Sequence, residues 1–547
     1  MAGFIKEYAR DLRSEFSGYG TDALRKDLFA GVTVAAVALP LALAFGVGSG
    51  ADAASGLISA IAAAFIIGAL GGASFQISGP TGAMTAILIP LSIKYGLHGL
   101  FAAGFVAGVI LFAAGLLRAG KLVYLLPAPV IAGFTSGIAL IIALGQLEYL
   151  FGIKAHGTEP LERLYSLFAN GFSPNYTDLI LGVSVIVLMF RWPKKWGEKI
   201  PGSLAGVMAG TVLSLFLPGT IATVGDIPRT LIHSSHLTIS DLLSLSSDAI
   251  LFPALSIAAL GMIESLLCGA AGGRMKGEKL NGDRELLAQG IGNMVLPFLG
   301  GVPATAAIAR SSVAIKSGSQ TRLTGIIQGI VLLLSMFLLS PFMSRIPLSI
   351  LAGVLIVTAW RMNEWHTIKY IFGKRFMYGA AKFLVTMFAT VIFDLTIAIA
   401  AGAFLAIFLF VIHVADLEVT ISEIDPKRLG REKKFTQHAQ VIYLTGSIFF
   451  GAIERFETGI SKADCDIFIF SMRGVPYIDT SGVQAFLDFC QAKQRDGHKI
   501  FFASVQPKVR DMLDKAGVSE LVGKDSFFNN AMDAIYKLNE LTETQGA

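Results

Sequence analysis

The sequence predicts an all-α polytopic membrane domain followed by a smaller C-terminal α/β domain, and three observations support this fold class. The chain of 547 residues is 54% hydrophobic and only 15% charged, whereas an average soluble domain contains about 25% charged residues. Residues 28–150 carry few charges, and many apolar stretches approach the ~20 residues that a helix needs to cross a bilayer. From residue 416 onward the composition is that of an ordinary soluble protein. Because the bilayer offers the backbone no water, we expect the apolar stretches to be helices.

We predict fourteen membrane segments in this first part of the chain. Their approximate spans are 28–49, 53–73, 80–95, 97–117, 124–150, 177–192, 201–217, 249–271, 285–300, 304–315, 322–343, 347–361, 380–394 and 395–414. With a cytoplasmic N-terminus, this count places seventeen basic residues in inner loops and five in outer loops, in agreement with the positive-inside rule. The predicted domains are a cytoplasmic N-terminal segment (1–26), a transmembrane domain (27–415) and a cytoplasmic C-terminal domain (416–547). A multi-pass protein of the inner (plasma) membrane with both termini in the cytoplasm is expected.

The third and tenth predicted segments open with similar interruptions. Fourteen segments divide into two halves of seven, so the halves would cross the membrane in opposite orientations, as a 7+7 inverted repeat. The interruptions lie in Ser78–Thr85 and Gly300–Ser312, and their prolines, Pro80 and Pro303, are 223 residues apart. Proline is well tolerated in the first turn of a helix. These patterns predict two half-helices that start within the membrane after an extended piece of chain.

Two half-helices that start near the midplane would direct unpaired N–H groups and positive dipole ends at each other, which favours an anion. Glu264 lies near the middle of the eighth segment, and Arg310 lies in the tenth. Charged residues inside a membrane are costly and tend to be functional. Arg310 presents a fork of donors suited to carboxylate or sulfate oxygens, and Glu264 is expected to bind a coupling proton or sodium ion. The alternative is a purely structural Glu264–Arg310 ion pair.

These residues and motifs resemble the SulP family of sulfate permeases and related anion carriers. The resemblance covers nearly the whole chain and is carried by Ala38–Gly46, Ser78–Gly82, Asn281–Asn293 and Ala304–Gly318. It implies a core domain and a gate domain that move in an elevator-like mechanism, with the anion held between segments 1, 3, 8 and 10, and it implies a homodimer. By position, the substrate site would consist of Phe45 (one turn after Pro40, beside an expected break), Thr81, Gly82, Ala309, Arg310 and Ser311, with Glu264 as the coupling-ion residue.

The C-terminal part contains a loop, Tyr477–Gly482, that resembles the signature loop of STAS domains, which are shared with anti-sigma-factor antagonists. We predict strands at 440–444, 466–470 and 499–503, and helices at 480–495, 507–516 and 526–540. Asp479, Thr480 and Ser481 are the candidate regulatory residues, because Ser481 matches the position that is phosphorylated in those antagonists. The alternative, which we favour, is that this loop caps the following helix. The domain is therefore predicted to be a regulatory module that binds a cytoplasmic protein partner and catalyses no reaction.

The predicted function is secondary active transport of a small inorganic or carboxylate anion of the sulfate, C4-dicarboxylate or bicarbonate class, with proton-coupled symport favoured. An anion channel, a chloride/bicarbonate exchanger and a sodium-coupled bicarbonate symporter remain open alternatives. The similar cyanobacterial bicarbonate carriers lack an arginine like Arg310 in their glycine-rich segment 10, so the resemblance favours sodium–bicarbonate symport less than the other modes. No nucleotide loop, metal-ligand spacing or nucleophile–base pair stands out in the sequence, so no enzyme activity, cofactor or metal is expected. The net charge of +5 is modest, and no nucleic-acid partner is expected.

Overall fold

The computed structural model describes residues 2–121, 127–157, 160–169, 172–197, 200–244, 247–393, 395–424 and 438–544. These residues form two compact units, Met1–Ala403 and Phe404–Ala547. The first residues of the fifth predicted segment, and Asp394 at the end of the thirteenth, lie outside the described residues.

The first unit is built almost entirely of helices. In chain order they are α1 (Ala2–Glu15), α2 (Thr21–Gly48), α3 (Ala53–Leu70), α4 (Gly82–Leu116), α5 (Ala128–Gly145), α6 (Leu147–Phe151), α7 (Pro160–Ala169), α8 (Tyr176–Arg191), α9 (Lys194–Gly197), α10 (Gly202–Ser214), α11 (Ile239–Ser244), α12 (Ser247–Lys276), α13 (Gly282–Val295), α14 (Ile308–Lys316), α15 (Leu323–Met343), α16 (Leu348–Met362), α17 (Trp365–Gly373), α18 (Met377–Ile392) and α19 (Leu395–Val414), which continues into the second unit. Each predicted segment falls on one or more of these helices. Among the described residues, six helices are long and apolar enough to cross a bilayer and four further apolar helices are shorter. The helical membrane domain is thus as predicted, and the number of crossings stays a prediction.

The predicted boundary between the third and fourth segments coincides with a kink inside α4. Gly96, the residue between the two predicted spans, has φ 68° and ψ −175°, a conformation that glycine adopts readily. Pro40, in contrast, lies within the continuous helix α2. The break expected beside Phe45 is therefore absent, because loss of one backbone donor at Pro40 does not end the helix here.

The backbones of helices α2 and α3 are in direct contact at two glycines, Gly46 and Gly56. A Cβ atom on Gly46 would lie 2.3 Å from the carbonyl oxygen of Asp52, and one on Gly56 would lie 2.1 Å from that of Ala42. Helices in a membrane associate through this kind of close contact between small residues. The contact fixes α2, which carries Phe45, against its neighbour.

Two short extended pieces lie in the interior of the first unit. Strand β1 (Ser78–Gly79) precedes α4, and strand β2 (Thr305–Ala306) precedes α14. The strands pair antiparallel, with Ser78 opposite Ala306 and Gly79 opposite Thr305. Because each strand leads almost directly into a helix, α4 and α14 begin beside each other. The predicted interruptions of the third and tenth segments are present.

Helix α1 of the predicted N-terminal segment is tied to two later helices by ion pairs. Arg284 Nη1 at the start of α13 donates to Asp11 Oδ2 at 2.7 Å. Arg322 Nη2, at the N-cap of α15, donates to Glu15 Oε2 at 2.7 Å. Both arginine side chains are almost completely buried in this contact. The N-terminal segment is therefore an integral part of the first unit.

The second unit contains a five-stranded sheet with helices on both faces. Its further elements are β3 (Glu418–Glu423), β4 (Ala439–Thr445), α20 (Ile453–Ile460), β5 (Ile467–Gly474), α21 (Thr480–Arg495), β6 (Lys499–Ala503), α22 (Pro507–Lys515), α23 (Val518–Val522), β7 (Phe527–Phe528) and α24 (Ala531–Thr544). The strand order is β3-β4-β5-β6-β7, with β3 antiparallel and the remaining pairs parallel. Alternate residues face opposite sides, as a strand requires: Phe468 and Phe470 pack with α20 and α21, and Ile467 and Ile469 pack with α24.

Candidate functional site

Helices α4 and α14 begin beside each other in the interior of the first unit. Thr81 is the N-cap of α4, and its hydroxyl accepts a hydrogen bond from the amide of Met84 at 3.4 Å. Ala307 is the N-cap of α14, where no side-chain cap is present. The first amides of a helix have no intrahelical partner, and the helix dipole adds partial positive charge at this end. Two such ends at one place favour an anion.

Glu264 of α12 connects the two broken segments. Thr81 Oγ1 donates to Glu264 Oε2 at 2.9 Å, and Thr305 Oγ1 donates to the same oxygen at 2.7 Å. Glu264 is partly exposed, and its other oxygen, Oε1, makes no hydrogen bond to the described part of the chain. A carboxyl group in this position can take up a proton or contact a cation through Oε1 while Oε2 remains bonded to both segments.

Arg310 of α14 is one of the largest fully buried side chains and is only 1% exposed. Its Nη2 donates to the carbonyl oxygen of Pro80 at 2.8 Å. Its Nη1 is buried and has no hydrogen-bond partner among the described residues. The guanidinium fits closely against Gly79, where an added Cβ would lie 2.6 Å from Nη1. A buried guanidinium donor without an acceptor is costly, so this position favours a bound anion.

A direct ion pair between Glu264 and Arg310 is not formed. None of the ion pairs found within 4.0 Å in the described ranges joins the two side chains. Each has its own partners instead, two threonine hydroxyls for Glu264 and the carbonyl of Pro80 for Arg310. The alternative of a purely structural Glu264–Arg310 ion pair therefore does not account for the presence of both charges.

The start of α4 faces an apolar wall that includes Phe45, which is 4% exposed. A Cβ atom on Gly82 would lie 2.8 Å from Ile142 Cδ1, 3.1 Å from Phe45 Cε1 and 3.3 Å from Met362 Sδ. These side chains come from α5, α2 and α16. An apolar surround excludes water and strengthens electrostatic attraction at the helix end. Gly82 is the residue that lets the three side chains approach the backbone.

Ala309 and Ser311 occupy different surroundings in α14. Ala309 is exposed in the first turn of the helix. Ser311 is buried, and its Oγ accepts hydrogen bonds from the amide of Ile77 at 3.0 Å and from the thiol of Cys268 at 3.3 Å. Ser311 thus anchors the chain that enters β1. A direct contact of Ser311 with substrate stays a prediction.

Thr305 is a site residue that we did not predict from the sequence. It is completely buried, it donates a hydrogen bond to Glu264, and its hydroxyl oxygen lies 3.3 Å from that of Thr81. The sequence does contain a signal for it, since a threonine follows a proline closely in both broken segments, as Pro80-Thr81 and as Pro303-Ala304-Thr305. The pairing across β1 and β2 that brings these threonines together is visible only in the structure.

In the second unit, the predicted regulatory loop caps a helix. Asp479 is the N-cap of α21, and its carboxylate accepts hydrogen bonds from the amides of Gly482 at 2.8 Å and Phe450 at 3.1 Å. Thr480 and Ser481 are exposed in the first turn. The capping role that we favoured for Asp479 is present, and a regulatory role for the two hydroxyls stays a prediction.

No group of three or more His, Cys, Asp or Glu side chains within the described ranges is arranged to hold a metal ion. The donors that converge between α4, α12 and α14 are amides, hydroxyls and one guanidinium. This set is chemically suited to an oxyanion.

Comparison with known proteins gives two family matches. Residues 24–408 match the Sulfate permease family, and residues 431–534 match the STAS domain. A "Putative sulfate transporter YvdB" from Bacillus subtilis (strain 168) is 34% identical over 531 residues, which cover 94% of this chain and 98% of the relative. A "Bicarbonate transporter BicA" from Picosynechococcus sp. is 28% identical over 543 residues and 94% of each chain.

The chain is also similar to solved structures over most of its length. The murine Solute Carrier 26 family member A9 anion transporter, in its inward-facing state, superposes with a TM-score of 0.83 over 96% of this chain and 93% of that chain. The sequence identity is 18%, so this likeness concerns the fold. The predicted fold class, a mostly helical membrane domain with a C-terminal STAS domain, is confirmed.

Proposed function

The chain belongs to the Sulfate permease family of membrane transporters and carries a C-terminal STAS domain, and from this premise we propose that it is a secondary active carrier of small anions. The anion is of the sulfate, C4-dicarboxylate or bicarbonate class, and it is held between the starts of α4 and α14. The observation that carries this proposal is the buried Nη1 of Arg310, which has no acceptor among the described residues. A carrier of this kind performs no covalent chemistry.

Charge balance at the site supports coupling to a proton. Arg310 contributes one positive charge, and each helix start contributes roughly half a charge. Glu264, when ionised, cancels about one of these charges, and its protonation leaves more positive charge for the anion. A divalent oxyanion would therefore bind best together with a proton on Glu264. A cation at Glu264 would have a similar effect, which makes sodium the alternative coupling ion.

The packing of the helices supports a division into a core and a gate. Helices α2, α3, α4, α12, α13, α14 and α15 pack mainly on one another and contain the half-helices, whereas α5, α8, α10, α16 and α18 form a second group. The apolar wall at Gly82 combines Phe45 of the first group with Ile142 and Met362 of the second. Elevator-like sliding of the first group, with Phe45 and the half-helices, past Ile142 and Met362 of the second group would expose the anion alternately on the two sides. We propose further that the protein forms a homodimer in the inner (plasma) membrane with both termini in the cytoplasm, and that the STAS domain binds a cytoplasmic protein.

Uptake by purified protein in liposomes tests this function. Labelled sulfate, fumarate, bicarbonate and chloride would be offered under proton gradients, sodium gradients and no gradient. We expect accumulation of at least one divalent oxyanion above its outside concentration when the outside is acidic. Anion currents without accumulation would indicate a channel, and accumulation only with sodium would indicate the sodium-coupled symporter. Uptake that needs an anion on the other side would indicate an exchanger.

A further inference from the structure

Helix α13 carries a row of buried polar side chains that the transport site does not include. Glu285, Gln289 and Asn293 follow one another at four-residue intervals and are 0%, 0% and 1% exposed. Residues four apart lie on the same face of a helix. We propose that Gln289 and Asn293 are positioning residues, which hold β1 and β2 so that Thr81 and Thr305 meet at Glu264. This inference rests on the proposed function, since it concerns the same site.

Asn293 holds β2 through both ends of its amide group. Asn293 Oδ1 accepts a hydrogen bond from the amide of Ala304 at 2.8 Å, and Asn293 Nδ2 donates to the carbonyl oxygen of the same residue at 2.8 Å. Ala304 immediately precedes Thr305, whose hydroxyl bonds to Glu264. A carboxamide carries a donor and an acceptor side by side, so the single side chain of Asn293 satisfies both the amide and the carbonyl of Ala304.

Gln289 holds β1 in a comparable way. Gln289 Nε2 donates to Ser78 Oγ at 3.0 Å and to Glu285 Oε1 at 2.9 Å. Glu285 Oε2 in turn accepts a hydrogen bond from the amide of Gly72 at 2.8 Å. The row therefore runs from the end of α3 through Glu285 and Gln289 to Ser78, which lies three residues before Thr81.

The strands need such support because they are too short to fix their own geometry. Each has two residues, and even longer isolated two-stranded pairs are marginally stable in water. Inside a membrane, every backbone polar group must also find a partner within the protein. The buried amide of Asn293 meets this need for Ala304, the residue just before β2, and the Ser78 hydroxyl gives β1 a side-chain anchor to Gln289.

Helix α13 is itself held firmly, so it can serve as a fixed reference. A Cβ atom on Gly290 would lie 2.5 Å from the amide nitrogen of Phe112, and one on Gly108 would lie 2.6 Å from that of Met294. These contacts lock α13 against the second half of α4. A change at Asn293 or Gln289 would therefore shift the strands and leave the helix in place.

The first experiment compares Asn293→Ala and Asn293→Leu with the wild-type protein in proteoliposomes. Asn293→Leu keeps most of the side-chain volume but removes both the acceptor for the Ala304 amide and the donor to the Ala304 carbonyl. We expect both variants to raise the anion concentration for half-maximal uptake by roughly tenfold, as loss of one buried hydrogen bond would. The pH profile of uptake should also shift, because the threonines that bond Glu264 move. The matched control is Gln328→Leu on α15. It removes a completely buried side-chain amide that has no hydrogen-bond partner in the described part of the chain. Its half-maximal anion concentration should stay within twofold of the wild-type value.

The second experiment tests whether Gln289 acts through Ser78. Uptake would be measured for Gln289→Leu, Ser78→Ala and the double variant, together with thermal unfolding of each purified protein. We expect each single variant to raise the half-maximal anion concentration several-fold. The double variant should have about the same effect as the stronger single variant, because the effects of two residues that contact each other are not additive. This cycle also serves if Asn293→Ala does not fold.

The outcomes separate this inference from the proposed function. Absence of uptake of every anion by the wild-type protein would overturn the proposed function itself. If the wild type accumulates an anion, unchanged half-maximal concentrations and pH profiles in folded Asn293 variants would overturn the positioning role alone. The positioning role would also be overturned if the effects of Gln289→Leu and Ser78→Ala were strictly additive. The same holds if the variants lose only maximal rate, in proportion to the loss of folded protein. A raised half-maximal concentration with normal unfolding temperature would support it.

Discussion

The hydroxyl oxygens of Thr81 and Thr305 lie 3.3 Å apart, and both hydroxyls donate to the same carboxylate oxygen of Glu264. The two threonines are 224 residues apart in the chain and belong to different broken segments. Their meeting is the direct consequence of the antiparallel pairing of β1 with β2. Glu264, the candidate coupling residue, is thus in contact with both of the broken segments that would hold the anion.

Removal of the hydroxyl at position 305 should weaken transport. Thr305→Val keeps the shape of the side chain but removes the hydrogen bond that ties β2 to Glu264, and such a bond contributes about 0.5–1.5 kcal/mol. Because β2 is then held less firmly beside the start of α14, we expect the half-maximal anion concentration to rise by up to roughly tenfold, measured by uptake into liposomes. Thr305→Ser, which keeps the hydroxyl, should stay close to wild type. Equal uptake by the valine and serine variants would show that the hydroxyl has no part in transport.

A methyl group at position 79 should displace the guanidinium of Arg310. The Cβ of Gly79→Ala would lie 2.6 Å from Nη1, closer than two such atoms can approach, so the donor that we assign to the anion must move. We expect uptake to fall at least roughly tenfold. The control is Gly68→Ala in α3, where an added Cβ meets nothing within 4 Å and alanine is the better helix former. Normal uptake by Gly79→Ala would contradict the placement of the anion at Nη1.

Glu264→Gln should separate binding from coupling. Glutamine keeps an oxygen that can accept from Thr81 and Thr305, but it cannot exchange a proton. We expect exchange of labelled for unlabelled anion to persist, while accumulation driven by an acidic outside is lost. Undiminished proton-driven accumulation by this variant would remove Glu264 from the coupling mechanism.

Asp27 should be important for the stability of the N-terminal region. This buried carboxylate accepts hydrogen bonds from the hydroxyls of Tyr19, Thr321 and Thr324, and from the amides of Gln320 and Thr321. Asp27→Ala leaves several buried donors without an acceptor, each at about 1–3 kcal/mol. We expect a clearly lower unfolding temperature in a thermal melt of the purified protein.

The exposed Asp22 in the first turn of the same helix provides the control. Asp22→Ala should change the unfolding temperature little, and equal effects of the two variants would contradict the role of Asp27.

Partial burial and the hydrogen bond to Asp27 raise the pKa of Tyr19 to about 12. The folded protein therefore keeps the phenol proton of Tyr19 up to a higher pH than the unfolded chain does. This contribution to stability is complete below about pH 10 and is lost as the pH rises through about 12.

Much of the fold could be predicted because it follows from hydropathy and local pattern. Apolar stretches with few charges specify helices in a membrane, and Gly96 marks the boundary inside α4 as predicted. In the second unit, the predicted strands and the helix that starts at Thr480 follow from alternating apolar residues and a cap. The break predicted beside Pro40 is absent, because a proline in a tightly packed helix removes one hydrogen bond without ending the helix.

The site could be predicted only in part, since contacts between distant residues depend on three-dimensional pairing. Arg310 and Glu264 stand out in the sequence as charges within apolar segments. Thr305, Gln289 and Asn293 do not stand out, because a polar residue near a segment end is common and its partner lies elsewhere in the chain. The separate partners of Glu264 and Arg310 likewise depend on the register of β1 and β2, which the sequence does not specify.

The proposed role of Arg310 is tested by anion binding to purified Arg310→Ala and Arg310→Lys variants beside the wild type. Stabilisation against thermal unfolding by the transported anion would be measured together with uptake, and unfolding without anion would confirm that each variant is folded. We expect the wild type to be stabilised by the anion, the alanine variant to show neither stabilisation nor uptake, and the lysine variant to bind at least roughly tenfold more weakly, because an ammonium group lacks the planar fork. Unchanged stabilisation and uptake in a folded Arg310→Ala protein would contradict the proposal that this guanidinium holds the anion.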